Sequence, residues 1–75
     1  MNIAQRVEML YNSVGDLVAN SQTGIDAKDD AAVIITVVSH IMADVIAAYS
    51  VGDVGQQKLT DIIVTTAQQE LKDRA

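Results

Sequence analysis

The stretch AKDDAAVIITVVSHIMADVIAAYS, residues 27–50, decides the fold. Its centre, Val33 to Val38, is β-branched throughout, and alone it would suit a buried strand. The longer frame argues otherwise. The stretch runs without a break from the polar segment ending at Gly24 to Gly52, and alanines fill its second half. That length and composition describe a helix. At 100° per residue its Val, Ile, Met and Tyr side chains, from Val33 round to Ile46, span roughly 220° of the helix circumference, against about 100° for an ordinary surface helix. The remaining arc holds Ala32, Thr36, Ser39, His40, Ala43 and Ala47, with Asp44 at its edge. A helix this apolar needs cover on most sides.

Working outward, the preceding segment places Ile3, Val7, Leu10, Val14 and Leu17 at alternating spacings of four and three. This is an a/d seam, and it predicts a helix from about residue 2 to 20. Gly15 lies off the seam, where it marks a kink or a close backbone approach. Asn20 to Gly24 reads as a turn, with Asp26 as N-cap of the central helix and Asp29 and Asp30 suited to its positive end. Gly52 offers a left-handed stop to that helix. Asp53 and Gln56 have the spacing of a capping box for a third helix, over about 54–74, whose stripe is Leu59, Ile62, Ile63, Thr66, Ala67 and Leu71. The expected architecture is all-α: one domain, residues 1–75, of three helices running up, down and up, a long helical hairpin plus an N-terminal helix, within an oligomeric helical bundle.

Composition narrows the function. Hydrophobic residues make up 49% of the chain, yet Phe and Trp are absent, so the core must be aliphatic. Cysteine and proline are absent, and the net charge is −5. A chain of 75 residues without disulfides is marginal alone, and self-association is the support that remains. Val38, Met42 and Ile46, on the side of the arc away from Val33, are the expected oligomer contacts. The five basic residues are scattered, so no electrostatic footprint for nucleic acid forms. Residues 31–49 raise the question of a membrane span. His40 and Asp44 near the middle, acidic flanks and the missing aromatic belt favour a soluble chain. The first residues do not follow the pattern of a signal peptide, and a cytoplasmic location is expected, in the host if the protein is viral.

Motifs for chemistry are few. His40 and Asp44, four apart, share a helix face, and a carboxylate beside an imidazole is part of a general base. No serine nucleophile stands beside them, since Ser39 points one helical step away. One histidine and no cysteine leave no ordinary zinc set, and a metal on His40 and Asp44 would need ligands from a second chain. Gly52 and Gly55 match no phosphate loop. No catalytic residue, cofactor or metal is therefore expected. The leading reading is a small non-enzymatic helical oligomer that binds and modulates another protein, of a size and acidity that suit a viral or mobile-element accessory factor. The alternative is a binder of nucleotide-like small molecules, with pockets at subunit junctions lined by Tyr11, Thr36, Ser39, His40 and Asp44. Tyr11 beside Asn12 offers a ring for a planar ligand to stack on.

Overall fold

A computed structural model describes residues 1–75. The chain is all-α, with three helices: α1, Ile3–Ser21; α2, Ala27–Tyr49; and α3, Gly52–Asp73. It divides into two compact units. The first, Met1–Val37, holds α1 and the start of α2; the second, Val38–Ala75, holds the rest of α2 and α3.

In the first unit, α1 begins with a capping box. The Asn2 carboxamide oxygen accepts from the Gln5 backbone N–H at 2.8 Å, and the Gln5 side chain accepts from the Asn2 N–H at 3.0 Å. Two of the donors that every helix start leaves free are thereby satisfied. α1 is unbroken across Gly15, and a Cβ built there meets nothing within 4 Å. No backbone of the chain approaches it, so Gly15 marks no close contact within the chain. The turn into α2 is shaped by Gly24, at φ 72°, where only glycine is unstrained. Asp26 caps α2 as expected, its carboxylate accepting from the Lys28 N–H at 2.8 Å.

Asp30 does something the dipole argument did not predict. Its carboxylate turns back to the connection and accepts from the Thr23 N–H, the Thr23 hydroxyl (2.9 Å) and the Gly24 N–H (3.1 Å). Donors converging on a carboxylate stabilise its charged form, and the two backbone N–H groups, followed by the hydroxyl, hold the Asp30 pKa below its ordinary 3.8. The half-buried residues of this unit are Val18, Asp30 and Ile34.

In the second unit, α2 ends at Tyr49 and α3 begins three residues later. Gly52 has φ 72°, the left-handed conformation anticipated for it. The expected cap on α3 is corrected. Val51 takes the N-cap position with no side-chain hydrogen bond, and Asp53 lies inside the first turn. The helix starts at Gly52, ahead of Asp53, which therefore supports the dipole but closes no box. Half-buried residues of this unit are Met42 and Ile46 on α2, Ser50 just past its end, and Gly55, Leu59, Thr60 and Ile63 on α3; apart from Thr60 they fall in two rows of four-residue spacing. A Cβ placed on Gly55 would lie 3.5 Å from the Ser50 Cβ, so the two rows meet at the turn. Such rows are what two helices packed through their i±4 ridges produce.

Neither unit has a core. No side chain in the chain is buried. The chain exposes 6544 Å², where a folded chain of this mass exposes about 4,500 Å².

Candidate functional site

The candidate residues lie on two helices. Tyr11 is on α1, 64% exposed, in an open groove with Asn12, Val14, Gly15, Asp16 and Val18. Thr36, His40 and Asp44 form an i, i+4, i+8 row on α2, all exposed, and Ser39 lies beside it. The continuity of α2 aligns these four, whereas Tyr11 belongs to the other helix of the first unit.

The polar groups of α2 are less available than their identities suggest. The Thr36 hydroxyl donates to the Ala32 carbonyl at 2.7 Å, and Ser39 is also engaged within the chain. The same back-bond to a carbonyl four residues earlier recurs at Ser13, Ser50, Thr60 and Thr66. Helical serine and threonine hydroxyls settle into this pattern when no other partner draws them away. His40 and Asp44 share a face, but no hydrogen bond joins them. No group of three or more His, Asp or Glu side chains is placed to hold an ion.

The grooves are shallow, and those on α1 and α3 are each lined by a single helix. One follows α3 past Val54, Lys58, Asp61 and Ile62; another follows α1 past Ile3, Val7 and Leu10. A trough between the side-chain ridges of one helix is the shape that receives the ridges of another.

The feature that sequence reasoning underestimated is the extent of uncovered apolar surface. On α1, Ile3, Leu10 and Leu17 are 77%, 67% and 70% exposed. On α2, Val33, Ile35, Val37 and Ile41 are at least half exposed, and Val38 is 44% exposed. Met42 and Ile46, expected as oligomer contacts, are half-buried within their own unit. By length and composition α2 is apolar enough to cross a membrane, with a mean hydropathy of 2.1 in its most apolar window. No family model, characterised protein or solved structure matches this chain.

Proposed function

We propose that this chain is a non-enzymatic, self-associating helical interaction module. Copies, each an up-down-up array, cover one another's apolar helix faces, and the assembly presents its acidic outer surface to another protein. One observation carries the reading: 49% of the residues are hydrophobic and none is buried in the single chain. Full burial of a Val, Ile or Leu side chain is worth about 1.5–3 kcal/mol. Leaving a dozen of them half exposed forgoes an amount comparable with the whole stability of a small domain, which is about 5–15 kcal/mol. A second copy supplies matching apolar helices in equal number.

A lipid bilayer is the competing cover for α2. A charged residue at mid-membrane costs about 2.5–3.5 kcal/mol on insertion, while each Val or Ile returns about 0.3–0.6. His40 lies close to the middle of α2 and Asp44 one turn nearer its C-terminal end, and together they offset part of the aliphatic gain. The small-ligand reading has less support, because grooves lined by one helix enclose little of a ligand.

Light scattering in aqueous buffer without detergent tests the proposal, together with thermal melts over a range of chain concentration. A soluble assembly whose melting temperature rises with concentration is the expected result. A stable, folded monomer at high micromolar concentration would overturn it, as would recovery of the chain only with vesicles or detergent.

A further inference from the structure

α1 carries its apolar residues on a stripe that its own unit does not cover. Ile3, Val7, Leu10, Val14 and Leu17 are 77%, 62%, 67%, 41% and 70% exposed. A trough lined by Ile3, Arg6, Val7, Leu10 and Ser13 runs along this stripe. We propose that the stripe is the seam of a parallel, two-stranded coiled coil between the α1 helices of two copies of the chain. The inference rests on the self-association reading above and names the surface that performs it.

Three arguments select this occupant. The first is the seam itself. In heptad terms Val7 and Val14 take the a positions, and Ile3, Leu10 and Leu17 the d positions. β-branched residues at a with leucine at d favour two parallel strands. The second is charge. The chain carries −5, so two copies repel on average. Yet the seam and its flanks (Ala4, Arg6, Tyr11, Ser13, Val18 and Asn20) hold no carboxylate. Glu8 and Asp16 fall at outward b and c positions, so α1 lets two acidic chains meet without opposing their acids. In parallel register the Arg6 guanidinium at g lies beside Tyr11 of the other copy at e, within reach of a cation–π contact. The third is area. The chain exposes 6544 Å², roughly 2,000 Å² above the expectation for its mass, and a stable pair needs about 800 Å² from each partner. The surplus is ample for the α1 seam.

The absence of cysteine makes the test clean. Ile3→Cys, Leu17→Cys and Asn12→Cys are prepared singly in the full chain, and helicity is checked by circular dichroism. Each is oxidised at micromolar concentration and run on a non-reducing gel. Parallel register brings Ile3 beside Ile3 and Leu17 beside Leu17, whereas Asn12 faces outward. Both seam variants should give on the order of tenfold more covalent dimer than Asn12→Cys, or better, as pre-association raises effective thiol concentration into the millimolar range. Cross-linking only when Ile3→Cys and Leu17→Cys are mixed would mean an antiparallel pair and would overturn the proposal. Equal, weak cross-linking of all three would also overturn it. Light scattering on the same samples separates the two levels. An oligomer without seam cross-links removes this interface and leaves self-association standing, while a monomer removes both.

Discussion

The two units solve the same problem in opposite ways. The second, Val38–Ala75, brings Ser50 against Gly55 at its connection and half covers Met42, Ile46, Leu59 and Ile63, while Val51, Val54 and Leu71 stay exposed. The first, Met1–Val37, is fastened by polar bonds, the Asn2–Gln5 box at one end of α1 and the Asp30 clasp at the other. Its seam stays bare. One unit half covers part of its apolar surface within the chain. The other takes local order from hydrogen bonds and leaves its α1 seam exposed. Apolar burial is non-directional and can be completed by any matching surface, whereas hydrogen bonds fix a geometry. On the self-association proposed above, the first unit would be the docking element and the second the anchor.

The comparison can be broken most severely in the anchor. Met42→Asp places a charge in a half-buried apolar row and should cost about 3 kcal/mol or more, unfolding the chain at any concentration. Leu10→Asp on the bare seam should instead abolish association while a monomer retains part of its helicity. Circular dichroism and light scattering on both variants decide it, and identical behaviour would erase the distinction between the units.

Next in size is the clasp. Asp30→Ala leaves the Thr23 and Gly24 donors without their acceptor, and should lower the melting temperature and loosen the α1–α2 connection, read as faster amide exchange at residues 22–26. The pH dependence has a definite sign. The Asp30 pKa is lowered on folding, so its contribution is complete above the ordinary value of 3.8 and is lost as pH falls through the folded value. Acid titration of the wild type should show a loss of stability below pH 3.8 that Asp30→Asn lacks. Two curves of the same shape would contradict the clasp's role.

Smaller effects sharpen the local picture. Asn2→Ala should cost about 1 kcal/mol through loss of the cap. Gly15→Ala has open space and a helical backbone, and should stabilise by about 0.5–1 kcal/mol. Gly24→Ala, at φ 72°, should destabilise by about 1 kcal/mol. Chemical denaturation of the three variants measures these shifts, and a destabilising Gly15→Ala would mean that another chain packs closely there.

The helices were legible because their signals are local. The four-three spacing on α1, the unbroken aliphatic run of α2 and the glycines before and after it fix φ and ψ choices within a few residues. The Asp26 cap was legible for the same reason. The capping box at Asn2 and Gln5 was equally present in the spacing and stood unread beside the seam. Asp53–Gln56 shows the limit of such patterns, because α3 begins at Gly52, ahead of the residue that the spacing made its cap. The Asp30 clasp bridges six and seven residues through a turn, and no helix periodicity encodes it. As for the site, sequence placed Thr36, His40 and Asp44 on one face of a helix. Whether Tyr11 joins them depends on contacts between helices, which residue spacing does not specify.

The back-bonded hydroxyls bear on what can be recognised along these helices. A hydroxyl has one proton to give, and Thr36, Ser13, Thr60 and Thr66 have each committed it to their own backbone. What they turn outward is lone pairs and, on the threonines, methyl groups. On the Thr36 row only the His40 ring retains a proton to offer, and the Asp44 carboxylate follows one turn later. A phosphate-bearing molecule, which must be met by proton donors, finds few there. A group that brings its own donors, such as an ammonium, a guanidinium or a free backbone amide, meets acceptors there in the Thr36 hydroxyl oxygen and the Asp44 carboxylate.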